Sequence, residues 1–227
     1  MALRDGILAY WKLDGNSLDS VGSANGADTN VTYTQQRINT GGNFSDTSKI
    51  LISNTIPTSL AISVAFWVRP DDLLTEDKYF CRDWNGGTDW GIVVGQNGAS
   101  QFDCGVRTVT NWRSVNDPTT YSAGTSYFLT VTYDGTVLNL YKNAVIVAST
   151  SPGEALENMA SKEIRIGCLN TATQLVDAGI DEVGFWGRAL TQSEITTLMN
   201  NISYPFHDRG FIVNNLRPSM FVPGIGR

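Results

Sequence analysis

Gly179 to Met199, GIDEVGFWGRALTQSEITTLM, decides the reading of this chain, because one run holds a strand, a turn and the best-signalled helix. Ile180 to Trp186 is short, β-branched and aromatic, and glycines at 179 and 187 bound it, so it reads as a strand. Strict alternation would send Asp181 and Glu182 to opposite faces. Thr191 and Glu194 have the spacing of a capping box, with Leu190 and Ile195 placed to staple across it, so a helix is expected to start there. Ile195, Leu198 and Met199 make one apolar stripe of barely two turns. Such a stripe can lie on a sheet as a lid or plug but cannot form a helical domain.

Outward from that stretch, the chain is a succession of strand signals and polar turns. Ile7 to Leu13 is expected as the first strand, followed by a long polar loop from Asp14 to Asn30. Ala61 to Arg69 (AISVAFWVR) alternates, with Ile62, Val64, Phe66 and Val68 on one face and Ser63, Ala65 and Trp67 on the other. Further strands are expected at Lys49 to Ser53, Lys78 to Arg82, Gly91 to Gly95, Gln101 to Arg107 and Ile164 to Cys168. Tyr127 to Tyr133 and Thr136 to Lys142 flank Asp134-Gly135, a hairpin signal, and Ala144 to Ser149 continues the meander. Many short strands with a single short helix predict an all-β fold, a two-sheet antiparallel β-sandwich or jelly roll.

The chain has 227 residues, 41% of them hydrophobic, enough for one large β core. Its net charge of -6 excludes a basic stripe for nucleic acid. There is no membrane span, and Met1 to Tyr10 lacks the pattern of a classical leader. Cys81, Cys104 and Cys168 are odd in number and widely spaced, which favours buried free thiols over a disulfide.

The segments GILAYWKLDGNSLDSVGSANG, ISVAFWVRP, TSYFLTVTYDGTVLNLYKNAVIV, IRIGC and IDEVGFWGRALTQSEI together resemble the laminin-G-like branch of the concanavalin A-like jelly rolls, over Gly6 to Asn201. The resemblance implies a carbohydrate-binding, lectin-like domain over residues 1–204. It also implies a structural calcium between the first loop and the last strand, at Asp19, Asn25 and Asp181; the alternative is an Asx-turn network in which Asp19 and Asn25 satisfy the loop's own backbone. The glucanases of this fold use an E-x-D-x-x-E strand, and nothing here matches it. His207, the only histidine, lies in the C-terminal segment, so no histidine-based centre is expected inside the domain and the chain is expected not to be an enzyme.

Flat aromatic rings beside planar polar groups suit sugars. Trp84 with Asp83 and Asn85, and Trp112 with Arg113, are the candidates, whereas Trp11, Trp67 and Trp186 are expected in the core. Residues 205–227 carry Phe206, Phe211, Leu216, Arg217, Phe221 and Arg227, three prolines, and three arginines against one aspartate. An extended docking arm is expected there, with a reach on the order of 75 Å; the alternative is that it packs back on its own sandwich as an extra edge strand. The setting expected for it is a larger protein assembly such as a phage capsid or tail, the chain being a decoration protein of a virion assembled in the host cytoplasm. The alternative is an extracellular carbohydrate-binding module of a polysaccharide-degrading system. Either leaves room for a homo-oligomer.

Overall fold

The computed structural model describes residues 3–53, 56–57, 59–73, 76–83, 91–159, 162–169 and 174–200. Fifteen strands precede one helix among them: β1 Ile7–Trp11, β2 Gly26–Thr29, β3 Thr32–Gln35, β4 Thr40–Phe44, β5 Lys49–Ile52, β6 Ile62–Pro70, β7 Lys78–Asp83 and β8 Ile92–Gln96. Then come β9 Gln101–Arg107, β10 Trp112–Thr120, β11 Tyr127–Tyr133, β12 Leu138–Lys142, β13 Val145–Thr150, β14 Glu163–Ile166, β15 Ala178–Trp186 and α1 Gln192–Asn200. They form two antiparallel sheets, the sandwich that the alternating pattern predicts. One runs β13-β12-β11-β6-β15-β4-β3, with β1 also paired to β15; the other runs β10-β9-β8-β7-β14-β5-β2.

Alternation decides what fills the space between the sheets. Ile62, Val64, Phe66 and Val68 of β6 face Phe80, Ile92, Val94, Phe102 and Val106 of the second sheet, and all belong to one buried cluster. Phe80 and Phe185 meet across the gap with ring centroids 5.8 Å apart. Arg82 shares this interior: its guanidinium donates to the Ile56 and Pro57 carbonyls and lies over the Phe185 ring, and burial lowers its pKa to about 10. Cys81, Cys104 and Cys168 are buried free thiols, as expected.

The opposite face of the larger sheet is also sealed. Tyr10, Ala65, Trp67, Phe128 and Trp186 form a second cluster with Leu190, Ile195 and Leu198, so α1 lies on that face as the predicted lid. The cap is the predicted one: the Glu194 N–H donates to Thr191 Oγ1 (3.3 Å), and the Thr191 N–H donates to the Glu194 carboxylate (2.8 Å). Arg188 adds two bonds to the same carboxylate, at 2.7 and 2.8 Å, and holds it down at a pKa of about 2. Trp11, Trp67 and Trp186 are buried, in line with their core assignment.

Three local expectations are corrected. Asp181 and Glu182 do not point oppositely. Asp181 sits across from Trp67 on the lidded face, and the left-handed Glu182 (φ 56°) turns its own carboxyl to accept from the Tyr10 hydroxyl on that same face. This bulge falls where β15 changes partner, from β4 at Ala178–Ile180 to β1 at Val183–Trp186. Second, the Asp134 hairpin loop runs to Val137, because the Asp134 carboxylate takes the Thr136 and Val137 N–H groups and delays β12 to Leu138. The tight two-residue turn is instead Asn143-Ala144, both at positive φ, between Lys142 and Val145, which pair. Third, the expected loop from Asp14 to Asn30 contains β2, an exposed edge strand that carries no apolar signal.

Candidate functional site

Among the described residues, the outer face of the seven-stranded sheet carries a cavity, and the sequence of β9 explains how. In QFDCGVR, Phe102, Cys104 and Val106 turn inward, so Asp103, Gly105 and Arg107 turn outward. Gly105 pairs with Val93 on one side and Ser114 on the other, and Gly95 pairs with Asp103 and with Lys78. Two neighbouring strands therefore offer bare backbone, and larger side chains lie down on it. A Cβ at Gly105 would come 2.6 Å from Cε2 and 2.8 Å from Cη2 of Trp112, so the indole rests directly on that backbone. At Gly95 a Cβ would strike the stem of Lys78.

The result is a cavity of about 160 Å³ bordered by Glu76, Lys78, Asp103, Trp112, Ser114 and Gln174, with Val93 and Leu169 as its apolar floor. Trp112 packs on Cys81, Val93 and Leu169, which fixes the ring. The Lys78 ammonium donates to both Asp103 oxygens, at 3.1 and 2.9 Å, and to the Gln96 carbonyl at 3.0 Å. Burial pushes the Asp103 carboxyl upward, Lys78 pulls it back, and the charge of Glu76 adds to the rise. The Gln174 side-chain oxygen is buried without a hydrogen-bond partner, alone in this among the described residues of the lining.

Of the expected sugar contacts, Trp112 lines this cavity and Arg113 does not. Arg113 follows Trp112 in β10, lies opposite the inward-facing Val106, and gives its guanidinium to Glu154 at 2.6 Å. Asp83 ends β7 with its backbone opposite Glu163, while Trp84 and Asn85 lie outside the described residues. So do Phe206, Phe211, Leu216, Arg217, Phe221 and Arg227. Lys78, Asp103, Ser114 and Gln174 were not anticipated. The signal for two of them lay in the alternation of QFDCGVR and in the pairing of its outward Asp103 with a strand glycine.

The residues expected for calcium are otherwise engaged. Asp19 accepts from the N–H groups of Tyr10, Val21 and Ala24, all at 3.0 Å, and Asn25 accepts from the Asp19 N–H at 2.9 Å. These bonds are the Asx-turn network. Asp181 accepts from the Ile38 N–H at 2.7 Å, its other oxygen is buried without a partner, and the charge acting on it is that of Asp14. Burial pushes its pKa up to about 7, as it pushes Glu182 up to about 8. Among the described residues no three His, Cys, Asp or Glu side chains converge on a metal position. No helix among the described residues is long and apolar enough to cross a membrane.

Comparison with known proteins follows the fold. A family model described as the concanavalin A-like lectin/glucanases superfamily matches residues 25–196. Domain 4 of AbnA, a GH43 extracellular arabinanase from Geobacillus stearothermophilus solved in complex with arabinotriose, superposes with a TM-score of 0.73 at 22% identity, covering 85% of this chain and 98% of that one. The binding domain of Paraclostridial Mosquitocidal Protein 1 gives 0.72 at 17% identity, over 88% of this chain and 53% of that one. The binding domain of Botulinum Neurotoxin DC in complex with SialylT gives 0.66 at 14%, over 89% and 54%. No curated protein matches the chain in sequence.

Proposed function

The chain belongs to the concanavalin A-like lectin/glucanases superfamily, and from that premise we propose that it is a non-catalytic glycan-binding domain whose ligand lies against Trp112 on the open face of the seven-stranded sheet. The observation that carries this reading is the fixed indole beside a small cavity with an apolar floor and polar groups around it. An aromatic plane accepts the apolar face of a sugar ring, and Ser114, Gln174 and Asp103 surround it with hydrogen-bonding groups. At about 160 Å³ the cavity is smaller than the roughly 300–1,000 Å³ of drug-sized pockets, which suits a single ring of a longer chain.

Catalysis is not part of the proposal. Glycoside hydrolysis needs two carboxyl groups with separate roles. Asp103 gives both oxygens to Lys78, and Asp181 and Glu182 are enclosed on the lidded face of the other sheet. Calcium is left out as well, since the oxygens that would bind it serve the loop.

The setting this reading favours is a polysaccharide-degrading or cell-surface system, supported by the likeness to a domain bound to arabinotriose. A second reading, display on a phage virion, is favoured by residues 205–227, which are rich in apolar residues and opposite in charge to the rest of the chain. Truncation after Ser203 separates the two: loss of association with an assembly supports display, and unchanged association removes it. The glycan reading itself is tested by retention on immobilised oligosaccharides, where Trp112→Ala is expected to abolish binding and leave the melting temperature within a few degrees. Full retention by that variant would refute it.

A further inference from the structure

We propose that the cavity beside Trp112 selects uncharged sugars through their hydroxyl donors and excludes anionic ones such as uronic and sialic acids. The proposal rests on the glycan-binding reading above and adds the class of ligand. Lys78 is the only cation among the described residues of the lining, and its ammonium is held by the Asp103 carboxylate and the Gln96 carbonyl, with the side chain only 8% exposed. Its charge is already met at contact distance by the Asp103 carboxylate.

The neighbouring cations of this sheet are committed too. Arg113 pairs with Glu154, Arg107 with Glu157 at 3.4 Å, and Arg165 with Glu163 at 3.0 Å. Glu76, by contrast, is exposed at the rim. With Asp103 and Lys78 cancelling, the described residues of the lining keep a net negative charge.

Hydrogen-bond capacity points the same way. The unpaired buried group is the Gln174 oxygen, an acceptor, and the Asp103 carboxylate offers further lone pairs. A sugar hydroxyl can donate to either. An ionised carboxylate brings only acceptors and a like charge, so it would leave Gln174 unsatisfied and repel Glu76; discrimination comes from that mismatch as much as from attraction to the right ligand.

The test uses the full chain on immobilised arabinotriose and other neutral oligosaccharides, beside galacturonic and sialylated oligosaccharides, at neutral pH. Neutral sugars are expected to be retained at least tenfold more tightly, in a manner that Trp112→Ala abolishes. Glu76→Gln, an exposed change, should narrow the gap by raising retention of the acidic sugars relative to the neutral ones. Equal or tighter binding of acidic sugars overturns the proposal and leaves the glycan reading standing. A gap indifferent to Glu76→Gln removes its electrostatic basis. Retention of no sugar at all, or retention that survives Trp112→Ala, brings down both.

Discussion

The indole of Trp112 lies on the α-carbon of Gly105, one strand away, at a distance that leaves no room for a side chain. Gly105→Ala should therefore lift the ring off the sheet and disturb its packing on Val93 and Leu169. A loss of about 1–3 kcal/mol in stability is expected from such overpacking, together with loss of sugar retention. Chemical denaturation and binding to immobilised oligosaccharide check the two effects. A variant that melts like the parent and still binds would show that the contact is dispensable.

Stability should peak in mildly acidic solution. Asp181 and Glu182 have folded pKa values of about 7 and about 8, raised by burial. Between their ordinary values near 4 and those numbers the unfolded chain holds fewer protons than the folded one, so stability falls as pH rises through that window and levels off above it. Glu194 and Glu154 act oppositely. Arg188 and Arg113 hold them at about 2, so their contribution is present above the ordinary carboxyl range and is lost as pH falls toward 2. Melting temperatures from pH 3 to 9 should show a maximum near pH 4 to 5, with a downward slope toward pH 8. Asp181→Asn should flatten part of that slope.

The lid on the larger sheet depends on its first turn and on one core side chain. Thr191→Ala removes the acceptor of the Glu194 N–H and is expected to cost about 1 kcal/mol. Leu198→Ala empties part of the cluster under the helix and should cost about 2–5 kcal/mol. Urea unfolding gives both values, and the larger penalty must belong to Leu198 if packing holds the helix more than its cap does.

Removing divalent ions should leave the fold untouched. Asp19 and Asn25 close their loop with backbone N–H groups alone. The melting temperature should agree within about a degree in chelator and in millimolar calcium. A rise of several degrees with calcium would show that the ion displaces those bonds and binds after all.

Much of the sandwich was legible because alternation in AISVAFWVR and the Thr191 and Glu194 spacing are local signals that tertiary structure did not override. The bulge at Glu182 arises where β15 exchanges one neighbour for another, a non-local event; its one trace in the sequence is the step of three between the inward Ile180 and Val183, which strict alternation passes over. β2 was hidden because an exposed edge strand such as GADT needs no apolar residues. Of the site, Trp112 stood out by residue type. Its partners did not, since Lys78 and Gln174 lie far from it in the chain and only the order β10-β9-β8-β7 brings β7 to the same face. Arg113 was placed beside Trp112 by sequence adjacency, yet the same alternation that reveals strands sends such neighbours to opposite sides.

The two outward faces of the sandwich are unequal. One is closed by α1, by Leu3 and Ile7 near the start, and by the Trp186 indole donating to the Leu3 carbonyl; the other holds the cavity. Leu3 and α1, the first and last parts described, thus both lie on its back. On the glycan-binding reading proposed above, a tether fastened at either end would hold the domain like a stamp by its handle, with Trp112 on the printing side.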